Sequence, residues 1–164
     1  MSLYLRWGGG IILTVAALLL CRGYEKYLMR RVAETEGLVL LISHAKGMIS
    51  RFLSYGGELW QGFDNDALES CGLLASLRSG LGIKAAFDGC SPKMCLSQSA
   101  RGWISAALDR LGKDYREGEL RLLEEIESRL RTDAESERSS AEKNIKVARA
   151  LLLGGALALL IMLI

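Results

Sequence analysis

Residues 114–164 read DYREGELRLLEEIESRLRTDAESERSSAEKNIKVARALLLGGALALLIMLI, and their reading decides the architecture of the chain. Asp114 with Glu117 three residues on has the pattern of a capping box, and Gly112 stands where a preceding helix would stop. From Glu119 to Leu153 there is neither Gly nor Pro. Glu117/Arg121, Glu125/Arg129, Glu127/Arg131 and Glu142/Lys146 are acid-before-base pairs four residues apart, the orientation that supports a helix. After Arg149 no charged side chain occurs to the end of the chain. One helix from Tyr115 onward would be a rod of about 75 Å. A domain of this size does not leave so much apolar surface in water, so the segment 150–164 is expected to be embedded in a membrane.

The rest of the composition agrees with a helical protein. The chain has 164 residues, 50% of them hydrophobic, with a single Pro and no sustained period-two alternation, so an all-α fold is expected. The net charge of +2 suggests no nucleic-acid or acidic partner. All 19 acidic residues and 20 of the 21 basic ones lie between Arg22 and Arg149, leaving Arg6 as the exception. The chain is thus a charged middle with an apolar segment at each end.

The N-terminal segment is uncharged from Trp7 to Cys21, and Leu3 to Leu5 extend it if Arg6 snorkels. Both apolar ends fall short of the roughly 20 residues that cross a hydrocarbon core, a deficit that local bilayer thinning accommodates. A cleaved signal peptide has the same outline, but no small-x-small site follows, and Leu19-Leu20 precede Cys21; retention as an anchor is therefore expected. Arg22, Lys26, Arg30 and Arg31 follow the first segment, and Arg138, Lys143, Lys146 and Arg149 precede the second. By the positive-inside tendency the middle is expected to be cytoplasmic, with both termini on the other side. The expected organisation is an N-terminal transmembrane segment at 1–22, a cytoplasmic helical bundle at 23–149 and a C-terminal transmembrane segment at 150–164.

Within the middle, apolar residues recur at helical spacing from Tyr24 through Val32, Leu38, Leu41, Ile42, Ala45 and Ile49 to Leu53, which extends the first helix to Gly56-Gly57, with bends possible at Gly23, Gly37 and Gly47. A brief turn at Glu58 to Phe63 follows. Asp64-Asn65-Asp66 offers N-cap chemistry for a helix carrying Leu68, Cys71, Leu74, Ala75 and Leu77, stopped by Ser79-Gly80. Leu81 to Phe87 makes another short helix before Asp88-Gly89. Ser91-Pro92 is a start signal for a helix with Leu96, Ala100, Trp103, Ile104, Ala107, Leu108 and Leu111 on one face. The first and last helices should pair antiparallel, with Ile126, Leu130, Ala134, Ala141, Ile145 and Ala148 facing the first. The polar stretch from Thr132 to Asn144 reads as a solvated face or a partner-binding surface. Gly8-Gly9-Gly10 and Gly154-Gly155 with Ala158 allow close helix approach, within the chain or in a homo-oligomer.

Chemistry-bearing residues are few. His44, the one histidine, lies beside the apolar stripe without a second ligand or nucleophile at useful spacing. Cys90 and Cys95 suggest half of a zinc site or a disulfide, but no second Cys or His pair completes a site, so small buried thiols are the better reading for them and for Cys21 and Cys71. Trp60 and Trp103 read as core rather than as a ligand platform. There is no G-x-x-x-x-G-K-[ST], G-x-G-x-x-G, H-E-x-x-H or G-x-S-x-G motif. No catalytic, cofactor-binding or metal-ligating residue is assigned, and no enzymatic activity is expected.

The run Leu111-Gly112-Lys113-Asp114-Tyr115-Arg116-Glu117-Gly118-Glu119-Leu120, continued to Leu130 and followed by Lys143, Lys146 and LLLGGALALLIMLI, resembles the stage III sporulation protein AB family of endospore-forming bacteria. So do LVLLISHAKGMISRF after an N-terminal apolar segment and the middle stretch LESCGLLASLRSGLGIKAAF. The likeness is strongest from Leu108 onward and loosest from Gly56 to Leu59. It implies a membrane component of the mother cell–forespore channel assembled during engulfment, on the mother-cell side of the forespore membrane. That family is similar to the inner-membrane platform proteins of type II secretion and type IV pilus systems. The resemblance therefore implies a scaffold that docks a stage III sporulation protein AA-type ATPase and other membrane proteins of the same complex. The rival expectation is a small membrane-perturbing or pore-forming protein whose apolar ends do the work and whose helical part regulates them.

Overall fold

The computed structural model describes residues 2–52 and 59–163, without the side chains at positions 2–11, 13, 52, 159–160 and 162–163. The expected helix end at Gly56-Gly57 and the approach of Gly8-Gly9-Gly10 to a neighbour lie outside what is described. Among the described residues the fold is all-helical, with α1 Ser2–Phe52, α2 Asp66–Ser70, α3 Leu73–Arg78, α4 Ile83–Cys90, α5 Gln98–Leu108 and α6 Arg116–Leu163. The chain divides into two compact units, one of Arg30–Glu137 and one of Met1–Met29 with Arg138–Ile164.

In the unit Arg30–Glu137, α1 and α6 run antiparallel as expected. Arg31 bonds Glu137, Lys46 bonds Glu127, and the Arg116 guanidinium donates to the carbonyl of Ser50, so the α6 number falls as the α1 number rises. Leu38, Leu41, Ile42, Ala45 and Ile49 of α1 and Leu122, Leu123, Ile126, Leu130 and Ala134 of α6 are buried. These are the periodic positions that make one stripe of each helix. The short helices add Leu68, Leu73, Leu74, Leu77, Phe87, Ile104 and Leu108 to the same cluster.

Local chemistry places these short helices, and it departs from the sequence reading in four places. The Asn65 side chain accepts from the Leu68 amide and caps α2 as expected. The helix then breaks, because Gly72 takes a φ of +87°, and what reads as one helix becomes α2 and α3. Asp88-Gly89 does not stop α4, which continues to Cys90. Ser91-Pro92 opens only a 3-10 turn, Ser91–Lys93. The true start of α5 is Ser97, whose hydroxyl accepts from the Ala100 amide. Finally, the start of α6 is not an Asp114/Glu117 box. The Glu119 carboxylate instead reaches back to accept the amides of Gly112, Lys113 and Asp114 at 2.8, 3.1 and 3.1 Å. One acceptor thereby satisfies three donors of the incoming turn, which explains why Glu119 is buried.

Gly37 sits inside α1 without ending it. A Cβ there would lie 2.8 Å from Asn65 Oδ1 and 3.1 Å from Leu68 Cγ, so its missing side chain is what lets the capped start of α2 press against α1.

In the unit Met1–Met29 with Arg138–Ile164, Leu28 and Ala141 are buried and the Arg149 guanidinium grips the Glu25 carboxylate at 2.7 Å. Most other large apolar side chains described there face outward, among them Leu19, Leu20, Leu151, Leu157 and Ile161. Among the described residues no helix is long and apolar enough to cross a membrane.

Candidate docking surface

The charged side chains of the unit Arg30–Glu137 form a ladder along the α1–α6 seam. At one end Glu137 Oε1 accepts from Arg31 at 2.7 and 2.9 Å, while its Oε2 accepts from the buried Thr35 hydroxyl at 2.8 Å. Further along, Glu127 is shared by Lys46 and Arg131. The bond from Lys46 comes first in holding the Glu127 carboxyl below its ordinary range, against the opposing effect of burial. Of the acid–base pairs read along α6, the Glu127–Arg131 pair is made at 3.0 Å. Arg129 instead lies over Trp103, and Glu142 faces Arg138 at 3.9 Å.

Glu34 is the least expected member of this set. It has no exposed surface, accepts from Arg30 Nε at 2.8 Å, and takes the Cys95 amide on its second oxygen at 2.5 Å. The signal for its burial was present in the sequence: Glu34 lies four and seven residues before Leu38 and Leu41, on the apolar stripe. A carboxylate there must find donors inside the fold, and it finds them in Arg30 and in the segment before α5. Arg101 of α5 closes the same segment from outside by donating to the Met94 carbonyl at 2.6 Å.

The residues singled out by sequence fall into separate places. His44 is half-buried beside Phe63, with ring centroids 5.3 Å apart, and its Nε2 has no hydrogen-bond partner among the described residues. All four cysteines are free thiols. Burial pushes the Cys71 and Cys95 thiols up, and the nearby Glu34 carboxylate adds to the effect on both, which keeps them protonated and poorly nucleophilic. Cys90 packs against Ser76, its sulfur 3.7 Å from the hydroxyl. Among the described residues no group of three or more His, Cys, Asp or Glu side chains is arranged to hold a metal ion. Trp60 is core, but Trp103 is only partly buried and stacks beneath the Arg129 guanidinium at 4.4 Å.

Trp103 and Arg129 divide two open grooves between α5 and α6. The first, of ≈ 240 Å³, is lined by Ala106, Ala107, Arg110, Leu122, Glu125 and Ile126. The second, of ≈ 290 Å³, is more polar and is lined by Ser97, Ser99, Asp133, Ser136, Glu137 and Arg31. A half-buried Trp103 beneath the exposed Arg129 guanidinium, flanked by two open clefts, is suited to binding a protein surface, since Trp and Arg carry much of the energy at such contacts.

Comparison with known proteins gives one positive finding. A family model described as stage III sporulation protein AB matches residues 79–164. No curated protein and no solved structure matches the chain. The matched region takes in α4, α5 and α6, and with them the first groove, all of the second except Arg31, and the Glu119 turn.

Proposed function

This chain belongs to the stage III sporulation protein AB family, and on that premise we propose that it is a non-enzymatic membrane platform of a sporulation channel, docking a cytoplasmic ATPase. The unit Arg30–Glu137 is the adaptor. Its core is closed by six helical segments, and the α5–α6 surface around Trp103 and Arg129 is the part of it best suited to receive a partner. The apolar ends are the anchor, inserting from one side so that the adaptor stays in the cytosol of the mother cell. The reading is carried by one observation: of the sixteen large apolar residues exposed among the described side chains, thirteen belong to the unit Met1–Met29 with Arg138–Ile164. Both apolar segments are short, and the bilayer thins around them.

Two measurements test it. Full-length protein purified from membranes should retain the ATPase of the same complex in a pull-down, and Trp103→Ala with Arg129→Ala should weaken that retention at least about tenfold, the effect of losing one interfacial anchor. Protease added outside intact cells should leave residues 30–137 uncut. Cleavage there, or a chain that stays in solution without detergent, refutes the anchored adaptor.

A further inference from the structure

The two compact units differ in charge. The unit Met1–Met29 with Arg138–Ile164 carries seven Lys/Arg against two Asp/Glu, a net of +5, while Arg30–Glu137 carries fourteen against seventeen, a net of −3. The excess positive charge is therefore gathered in the unit that also exposes the apolar side chains.

Its position within that unit is specific. The Arg149–Glu25 pair sets α1 and α6 in register at the point where the apolar segments begin. Arg22 and Lys26 lie within a turn of Glu25 on α1, and Lys146 and Lys143 lie three and six residues before Arg149 on α6. At 1.5 Å per residue all four fall within about 9 Å of one level along the helix pair. All four are exposed, and none has a carboxylate partner among the described residues. Tyr24 and Tyr27, 41% and 48% exposed, stand at the same level. Tyrosines with an apolar body and a polar tip favour the boundary between headgroups and hydrocarbon.

We propose that Arg22, Lys26, Lys143 and Lys146 form a cationic collar that binds the anionic headgroups of a bilayer, with Tyr24 and Tyr27 seated beside them at the headgroup level. This rests on the anchored reading given above and names the lipid class it selects. Uncompensated lysines and arginines at one height, continuous with outward-facing leucines, complement a negatively charged membrane surface. Each adds attraction that decays within a Debye length of about 8 Å.

The test is a competition. Full-length chain is diluted from detergent, at low ionic strength, into a mixture of phosphatidylcholine vesicles and vesicles that also contain phosphatidylglycerol, and the two populations are separated by density. Wild type should favour the anionic vesicles at least about tenfold. The variant R22Q/K26Q/K143Q/K146Q should distribute within about twofold of evenly, with total capture unchanged. Even distribution of the wild type, or undiminished preference in the variant, overturns the collar while leaving the anchor intact. Failure of both vesicle populations to capture the wild type overturns the anchor itself, and the collar with it.

Discussion

The Glu34 carboxylate of α1 and the Cys95 amide, sixty-one residues apart in sequence, meet at 2.5 Å in a site where Glu34 has no exposed surface. Replacing Glu34 by Ala strips Arg30 and the Cys95 amide of their acceptor and leaves a hole. A loss of about 3 kcal/mol is expected. Glu34→Gln keeps an acceptor for the amide and should cost less. Urea unfolding of the full-length chain in detergent measures both, and equal losses would show that the charge, not the hydrogen bond, holds this segment.

Gly37 and Gly47 lie on the same helix but should respond oppositely to alanine. At Gly47 nothing lies within 4 Å of an added Cβ, so Gly47→Ala should stabilise by roughly 0.5–1 kcal/mol through helix propensity. At Gly37 the new methyl meets Asn65 Oδ1 at 2.8 Å, an atom already held by the Leu68 amide. Overpacking there should outweigh propensity and destabilise by roughly 1–2 kcal/mol. Thermal melts of the two variants side by side decide it.

The Lys46–Glu127 bond predicts a pH-dependent loss. Glu127 titrates below its ordinary value, chiefly because of Lys46, so its contribution is present above the unfolded carboxylate value of about 4.3 and disappears as pH falls through the lower folded value. Lys46→Met should therefore cost roughly 1–2 kcal/mol at pH 7. Below the folded value of Glu127 the variant and wild type should converge. Denaturant midpoints across that range provide the check.

Asp109 sits between Lys113 at 2.8 Å and Lys84 at 2.8 Å, and the two bonds lower its carboxyl to about 2. A carboxyl-detected NMR titration should place its midpoint there. Lys113→Met should move it back toward 3.8, and adding Lys84→Met should complete the return. A midpoint that adding Lys84→Met leaves unmoved would mean that the bridge between α4 and the end of α5 is not formed in solution.

The helical class and the α1–α6 pairing were legible in the sequence because both rest on periodicity. Leu38, Leu41, Ile42, Ala45 and Ile49 on one side, and Ile126, Leu130 and Ala134 on the other, are buried at the expected positions. What periodicity does not encode is where a short helix begins and ends. Ser91-Pro92 and Ser97 are both acceptable starts, and the Glu34 carboxylate arriving at Cys95 from another part of the chain holds the intervening segment outside either helix. Gly72 gave no local sign that its φ would be positive, since glycine inside a pattern of leucines is equally compatible with a continuous helix. The Trp103–Arg129 stack was hidden for a related reason: Glu125, four residues earlier, is a sufficient partner for Arg129 on an isolated helix, and only the packing of α5 on α6 supplies a better one. Residues 79–164, which the family model matches, include both Trp103 and Arg129.

Asn65 Oδ1 caps α2 while abutting the bare backbone of Gly37, and this double duty imposes an order on assembly. Helices of five and six residues, as α2 and α3 are, do not persist alone in water. They gain their shape when a finished α1 offers the flat place on which the cap can rest. The N-terminal helix is thus the template, and residues 66–78 crystallise on it afterwards, so an amide-exchange pulse during refolding should protect 38–49 before 66–78.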